Sequence, residues 1–316
     1  MPYANLHRHD HYSTGDGADF PQRAVRHAKS LGQKSLGITN HGNVSGLLVH
    51  QQACRDVGLH DVLGVEAYYQ PTFTLPPDSP KKQNDAQEYK QYHLSILIKN
   101  MTGYKNLMML LTEANKKNFY KHAIVTDSLL YKYGEGLIVL SGCISGYVAQ
   151  HILLDDIEAA YNNITMFAKL FGHDFYLEVM PHNTPGQDSV NRQLEVWSDL
   201  YDLPIVMTED AHFTKKDEYT SYRVFQRAKH IDVDKSIVDY SRLYMHSEEE
   251  MLEAWAALMG SAGYGQLYLN QSARIADMCD VQFDSAVHMP HIAGIDNQRD
   301  VLIRAVRNGA KRLGKS

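Results

Sequence analysis

The stretch "LHRHDHYSTGDG" (residues 6–17) places three histidines and two aspartates within twelve positions. Its small and turn-forming residues disfavour a helix, and its first positions favour an extended strand. Side chains two positions apart in a strand point to the same face, so His7 and His9 are expected to lie side by side. Asp16 follows in a loop between two glycines, which allow a tight turn. The stretch therefore predicts a strand that runs into a loop rich in metal-ligand side chains.

The rest of the chain alternates short β-branched runs with longer stretches of helical period. The predicted strands are 4–9, 34–39, 62–69, 93–99, 136–141, 175–180 and 204–208. The predicted helices between them are 19–32, 44–58, 103–117, 157–172 and 188–201. Segment 70–91 reads as a hairpin or loop insertion, and the pattern becomes helical from about 217 onward. This alternation is typical of an α/β barrel with a largely parallel sheet.

The bulk composition is that of an ordinary globular protein. The chain has 316 residues, of which 44% are hydrophobic, and a net charge of −6, so it has no global basic surface for nucleic acid. Its three cysteines, Cys54, Cys143 and Cys279, are too few and too scattered for a disulfide framework and favour a reducing compartment. The longest apolar stretch, 136–149, is shorter than the ~20 residues of a membrane span. With no leader pattern at the N-terminus, we expect a cytoplasmic protein that does not contact membranes.

Metal-ligand residue types recur at the predicted strand ends, where barrel enzymes place their chemistry. His93 precedes its apolar run, so it reaches the same end only if its strand runs antiparallel. Individually, each residue also has an ordinary structural explanation: Asp16 as a turn residue, or Cys143 as a small buried side chain. Their recurrence favours a common site. The nine candidates are His7, His9, Asp16, His41, Glu66, His93, Cys143, Asp210 and His212.

The mixture of imidazole, carboxylate and thiol groups suits zinc, manganese or iron better than magnesium or calcium. Nine ligands exceed the needs of one tetrahedral ion, so two or three ions are expected. Divalent ions ~3.5–4 Å apart are a common device for hydrolysing phosphate esters. The residues alone therefore predict a metal-dependent phosphoesterase.

An ordered set of motifs resembles a known family, the PHP (polymerase and histidinol phosphatase) domain. The likeness is greatest to the version at the N-terminus of bacterial DNA polymerase III alpha subunits, and it covers about residues 3–285. "RLYMHSEEEML" (242–252) is similar to a segment that follows the PHP domain in those polymerases. The motifs are "LHRHDHYSTGDG", "GITNHGNVSG", "LGVEAYY", "YHLSILIKNMTGYKNLMMLLTEA", "GLIVLSGCISG", "FYLEVMPH" and "LPIVMTEDAHF".

The resemblance implies a distorted (β/α)7 barrel with a C-terminal helical extension and a trinuclear metal site. One ion would be held by His7, His9, Glu66 and Asp210; Glu66 would bridge to a second, shared with His93 and Cys143; Asp16, His41 and His212 would hold the third. Catalysis is expected to depend on Glu66, Asp210, His212 and His9. Two further residues after the sixth predicted strand, Glu178 and His182, are candidates for substrate contact or proton transfer, or ordinary residues of the barrel mouth.

For active members of the family, the resemblance implies a 3′–5′ exonuclease that proofreads DNA 3′ ends. These ends are either single-stranded or at a primer terminus. Members that have lost ligands act as scaffolds or docking domains. No ligand position is lost here, which favours catalysis. Two alternatives remain open: a small-molecule phosphatase similar to histidinol phosphatase, and a non-catalytic scaffold stabilised by metal.

Two positions depart from the family pattern. Asn40 stands where the family usually has Asp, which is expected to weaken the tuning of His41, and Glu209 replaces an Asn and has no assignable role.

We expect a PHP domain over 1–285, and over 286–316 a linker and a helix leading toward a polymerase palm. The palm's motifs do not occur in these 316 residues. The chain is therefore expected to be a shortened or naturally split polymerase that needs a polymerase module, C-terminal or on another chain, to synthesise DNA.

Overall fold

Eight strands form in the part of the chain that the computed structural model describes. The described residues are 3–73, 91–229, 238–283 and 294–315. All residues of the four shortest barrel strands are buried, as expected where helices cover the sheet. The strands are β1 (Ser35–Ile38), β2 (His60–Tyr69), β3 (Tyr92–Ile98), β4 (Phe119–Tyr120), β5 (His122–Val125), β6 (Leu137–Leu140), β7 (Phe175–Val179) and β8 (Ile205–Met207).

The N-terminal segment joins the two ends of this curved sheet. The barrel order is β1–β2–β3–β6–β7–β8, with β5 and β4 attached beside the end of β2. Strand β3 is antiparallel to both neighbours, whereas the other pairs in the barrel series are parallel. Isolated bridges pair Asn5 with Leu36 and Arg8 with Ala211. They complete a ring of seven, which confirms the expected distorted barrel, although the predicted strand 4–9 forms bridges and no continuous ladder.

Eleven helices surround or follow the sheet in the described residues, and five of them match the helices predicted from the sequence. The C-terminal helical extension is also confirmed. The first turn of the helix at Glu248–Met259 is capped by Ser247, which forms a capping box with Glu250. The helices are α1 (Pro21–Ser30), α2 (Leu47–Val57), α3 (Met101–Lys117), α4 (Asp127–Tyr133), α5 (Tyr147–Leu153), α6 (Ile157–Phe171), α7 (Gln187–Tyr201), α8 (Tyr219–Arg227), α9 (Glu248–Met259), α10 (Gly265–Asp277) and α11 (Gln298–Arg312).

An apolar core fills the ring and supports one end of it. Helix α10 contributes Ile275 and Ala276 to this core. Val62 and Glu66 lie four positions apart in β2, so they share one face of the strand, with Val62 in the core and Glu66 further along the strand. The strand residues of the core are Val62, Leu97, Ile138, Leu140, Tyr176 and Val206.

The chain divides into two compact units, residues 1–281 and 282–316. The second unit contains α11, whose first turn is capped by the Asn297 side chain accepting a hydrogen bond from the Asp300 amide at 3.1 Å. The expected functional division into 1–285 and 286–316 stays a prediction. The predicted insertion 70–91 lies mostly outside the described residues. None of the described helices combines the length and apolar character that crossing a bilayer requires.

Candidate metal centre

The N-terminal segment carries His7 and His9 into the ring by backbone pairing. The Ala211 amide donates to the His7 carbonyl at 3.1 Å, and the His9 amide donates to the Ala211 carbonyl at 2.8 Å. Both imidazoles are fully buried. The segment thus fixes two candidate ligands directly beside the chain that supplies Asp210.

The loop after this segment positions Asp16. Ser13 donates its hydroxyl to the Asp16 carboxylate at 3.0 Å and accepts a hydrogen bond from the His41 amide at 3.2 Å. Gly17 has no room for a side chain, since an added Cβ would lie 2.2 Å from the Asp10 carbonyl oxygen. The glycine therefore allows the loop to fold back closely enough to turn Asp16 toward the histidines.

Glu66 is the centre of the cluster. It is fully buried in β2, and a backbone bridge pairs it with His41. Its carboxylate oxygens lie 2.8 Å from Nδ1 of His41, 3.1 Å from Nδ1 of His93, 3.4 Å from Nε2 of His7 and 3.3 Å from Nε2 of His9. A carboxylate surrounded by four imidazoles is well placed to bridge cations.

His93 and Cys143 approach Glu66 from neighbouring strands. His93 is the second residue of β3, and because β3 is antiparallel to β2 and β6, its start returns to the barrel mouth; this confirms the hypothesis drawn from the sequence. The Cys143 sulfur lies 3.3 Å from Glu66 and 3.5 Å from Nδ1 of His93. Gly142 adopts φ +93, and an added Cβ would lie 2.5 Å from the His93 carbonyl oxygen. The turn that presents Cys143 therefore requires a glycine.

Asp210 and His212 follow β8 and complete the cluster. Asp210 has φ +49, a strained conformation for a non-glycine residue that is concentrated at functional sites. Its carboxylate lies 3.0 Å from Nε2 of His9 and 3.4 Å from Nε2 of His7. Nε2 of His212 lies 2.9 Å from the Asp16 carboxylate.

All nine sequence-predicted residues thus meet in one place. Within three groups of side chains, the possible ligand atoms lie within 4.8 Å of one another. The second group contains the four residues expected for the first ion; the first group adds His9 to the expected third set; and the third group has His41 in addition to Glu66 and His93, with Cys143 beside it. The groups are His9, Asp16, His41 and His212; His7, His9, Glu66 and Asp210; and His41, Glu66 and His93.

Hydrogen bonds hold two imidazoles in the tautomer that a metal requires. Nδ1 of His7 contacts the Glu178 carboxylate at 2.8 Å, and Nδ1 of His212 contacts the Asp210 carbonyl oxygen at 2.8 Å. Each acceptor keeps the proton on Nδ1 and leaves a lone pair on Nε2 facing the cluster. Nε2 of His7 and Nδ1 of His9 are buried with no hydrogen-bond partner among the described residues. Such atoms fit a site built for cations.

The electrostatics of the ion-free cluster show the same preference for positive charge. Burial opposes ionisation of Glu66, but the surrounding histidines outweigh it and hold the pKa of that carboxyl well below its usual range. Burial lowers the pKa of His212, yet Asp16 and Asp210 outweigh it and raise that pKa to about 9. Burial and the nearby carboxylates raise the pKa of the Cys143 thiol well above its usual value. A cation in the cluster would replace these protons.

Comparison with known proteins identifies the family. The model of the PHP domain matches residues 5–182, more than half of the chain. The chain belongs to the PHP family. It is 33% identical over 282 residues to the DNA polymerase III subunit alpha of Borreliella burgdorferi and 31% identical over 291 residues to that of Treponema pallidum. These matches cover 88% and 89% of this chain and 24% of each relative, so the chain spans about a quarter of their length.

One solved structure is also similar, a Bifidobacterium adolescentis protein provisionally assigned as a metal-dependent phosphoesterase. It is 14% identical with a TM-score of 0.43, and the match covers 82% of this chain and 100% of that one. A TM-score below 0.5 does not by itself establish a shared fold. Membership of the PHP family therefore depends on the sequence match.

Glu178 and His182 of this PHP domain lie outside the three groups of candidate ligands. Glu178 is buried and accepts hydrogen bonds from His7, the Ser95 hydroxyl (2.9 Å), the Gly142 amide (3.1 Å) and the Thr208 hydroxyl (2.6 Å). These contacts favour a role in orienting His7. His182 is buried outside the three groups, and burial lowers its pKa to about 4. Direct substrate contact stays a prediction for both residues.

The structure also gives Asn40 and Glu209, the two departures from the PHP pattern, definite partners. The Asn40 side chain donates to the Asp10 carboxylate at 2.8 Å and accepts from the Asp10 amide at 2.9 Å. Both of these side-chain hydrogen bonds go to Asp10, and the expected weakening of the tuning of His41 stays a prediction. Glu209 is buried and accepts hydrogen bonds from Tyr3, Asn5 and the amide and imidazole of His246. It ties the N-terminal segment to the chain just before α9, a role that no short-range pattern reveals.

Proposed function

We propose that this chain is the PHP module of a DNA polymerase III alpha-like protein, and that its metal centre hydrolyses the terminal phosphodiester at a DNA 3′ end. The observation that carries this proposal is the convergence of five imidazoles, three carboxylates and one thiol from segments between residues 7 and 212. The proposed cofactors are two or three divalent transition ions, zinc, manganese or iron. The proposed roles are those of a proofreading 3′–5′ exonuclease working beside a polymerase module.

The donor set fits such ions, and the chain's own residues prepare the site for them. When bound, divalent ions supply Lewis-acid stabilisation of phosphate charge and a water nucleophile that is active near neutral pH. Glu66 and Asp210 would hold ions together with the histidines around them. Glu178 keeps the proton of His7 on Nδ1, so that the lone pair of Nε2 would bind the ion. The buried walls limit free water around the reacting phosphate, which strengthens every charge interaction there.

A 3′-end degradation assay tests the proposal together with elemental analysis. The unmodified protein with bound manganese or zinc should release mononucleotides from a 3′-labelled single-stranded oligonucleotide. Asp210→Asn and His9→Ala should lower that rate by more than ~100-fold, because even loss of a partner outside the ligand set costs about 10–100-fold. Circular dichroism should show that both variants remain folded.

His173→Ala is the matched control, since His173 is exposed beside the start of β7, away from the candidate ligands. It should degrade the oligonucleotide at the unmodified rate. Unmodified rates in Asp210→Asn and His9→Ala would contradict a catalytic role for the centre. Hydrolysis of histidinol phosphate alone would favour a small-molecule phosphatase, and bound metal with no hydrolysis of either substrate would favour a scaffold.

A further inference from the structure

A pocket of about 670 Å³ lies beside the candidate metal centre. One wall comes from residues 11–23, and the other comes from α8 together with Phe213, Glu218 and Lys229. We call it the side pocket and define it by His11, Gly15, Phe20, Tyr222, Phe225 and Lys229. Its volume is within the range of small-ligand sites, about 300–1,000 Å³.

The side pocket adjoins two candidate ligands directly. Gly15 and Gly17, which line it, are the chain neighbours of Asp16. On the opposite wall, the Tyr222 ring meets the His212 ring edge-on at 6.4 Å, and Gln226 of α8 donates to the Asp16 carbonyl at 3.1 Å. A phosphate held by the Asp16–His212 side of the centre would therefore lie next to the side pocket.

The lining of the side pocket combines exposed aromatic rings with a cation. Phe20 is 60% exposed, so its ring is accessible, and it lies 4.6 Å from the ring of His11. On the other wall, the Lys229 ammonium lies 5.0 Å from the centre of the Phe225 ring. Aromatic faces next to cations are what single-stranded nucleic-acid sites use to stack bases and follow the backbone.

The two cations of the side pocket differ in their availability. Arg23 forms ion pairs with Glu218 and Asp19, which neutralise it within the fold. The Lys229 ammonium lies next to Gly15 and the Phe225 ring, where a substituent on Gly15 would meet it at 2.6 Å. A lysine at the rim adds positive charge that attracts a polyanion toward the pocket.

We propose that the side pocket takes the base of the nucleotide attached to the reacting phosphate, with Lys229 contacting the neighbouring phosphate of the strand. The proposal rests on the proposed function, because it needs a nucleotide phosphate at the metal centre. It specifies the substrate as an unpaired end of a nucleic-acid strand. A base held in a duplex could not enter, because the neighbouring base pair covers at least one of the faces that would stack on Phe20 and Phe225.

A fluorescence titration tests this proposal without depending on hydrolysis. The probe is a single-stranded oligonucleotide with 2-aminopurine as its 3′-terminal base and an uncleavable phosphorothioate beside it, added to manganese-loaded protein. Stacking in the side pocket should quench the 2-aminopurine. Phe20→Ala and Phe225→Ala should each weaken binding by about 5–150-fold and reduce the quenching, whereas Phe20→Trp should retain it.

Lys229→Ala should leave the quenching intact while it lowers the slope of log affinity against log salt by about 0.7, the value for one phosphate contact on a single strand. The matched controls are Tyr131→Ala, an exposed aromatic residue of α4, and Lys169→Ala, an exposed residue of α6; both should bind as the unmodified protein does. Unchanged affinity and quenching in Phe20→Ala and Phe225→Ala would overturn the proposal. Failure of the unmodified protein to hydrolyse DNA would count against the proposed function alone, because the titration reads binding.

Discussion

At the scale of single residues, the Asn40–Asp10 pair shows why an amide suits position 40 in this chain. Both side chains are buried, and the Asn40 side chain donates to the Asp10 carboxylate and accepts from the Asp10 amide. The family's usual aspartate at position 40 would set a second carboxylate against that of Asp10 at hydrogen-bond distance. Two buried carboxylates at that separation repel and leave one oxygen without a donor.

We therefore expect Asn40→Asp to lower the free energy of unfolding by about 1–3 kcal/mol, measured by urea denaturation. The double variant Asp10→Asn with Asn40→Asp exchanges the charge and keeps both hydrogen bonds, so it should recover most of the loss. This comparison is a double-mutant cycle, and the interaction energy should be large and favourable. Equal stability of Asn40→Asp and the unmodified protein would mean that the pair has little importance.

Residue type and spacing were enough to find the candidate ligands, but not the residues that support them. A ligand is recognisable because imidazole, carboxylate or thiol recurs after successive strands. The sequence indicates Glu178 only as a candidate for substrate contact or proton transfer, because its partner His7 lies 171 positions away in the chain. Glu209 is similar, since its partners Tyr3 and His246 come from distant segments. Supporting roles of this kind depend on tertiary contacts alone.

At the scale of helices and strands, most strands and the long helices were predictable, whereas two short helices and a small hairpin were not. Six of the seven predicted strands form ladders, because apolar β-branched runs are distinctive. Helices α4 and α5 have only seven residues each, which is too short for a helical period to stand out, and β4 and β5 form a small hairpin that the sequence reading missed. The predicted strand 4–9 remains a set of bridges because it closes the ring between partners of different strands.

A close contact between α3 and the turn before β6 makes an unusual prediction for a glycine in a helix. Gly→Ala in a helix normally stabilises by up to ~1 kcal/mol. Here an added Cβ on Gly103 would lie 1.8 Å from the Gly136 carbonyl oxygen. We therefore expect Gly103→Ala to destabilise the protein by about 1–3 kcal/mol, because the backbone must move to relieve the overlap. Thermal and urea unfolding would measure the change.

Gly309→Ala provides the control for Gly103→Ala, since an added Cβ at Gly309 in α11 meets nothing within 4 Å. It should increase or maintain the helical signal in circular dichroism. A stabilising effect of Gly103→Ala would contradict the packing of α3 against Gly136.

At the scale of the whole molecule, bound ions should contribute to stability in a pH-dependent way. In the ion-free protein the raised pKa of His212, about 9, stabilises the fold fully below the unfolded value of about 6.5, and this contribution is lost as the pH rises through 9. Ion binding needs neutral imidazole, so it strengthens over the same range. The stabilisation by ions should therefore increase from about pH 6 to about pH 9.

Differential scanning calorimetry with and without a chelator measures this effect. At an ion concentration ~100 times its Kd, the added stability is about 2.7 kcal/mol, and Tm should rise by about 5–10 °C. His212→Ala should reduce both the rise and its dependence on pH. A difference in Tm that is zero, or that falls as the pH rises, would show that the cluster does not hold ions in the way described.

Closure of the ring by the N-terminal segment also limits when the barrel can be completed during synthesis of the chain. His7 and His9 are synthesised about 200 residues before Ala211, their backbone partner. At about 5–20 residues per second, roughly 10–40 s pass before the barrel can be completed. Until then the nascent chain exposes these two imidazoles without their final neighbours, so we expect metal to bind correctly only at or after the synthesis of the last strand.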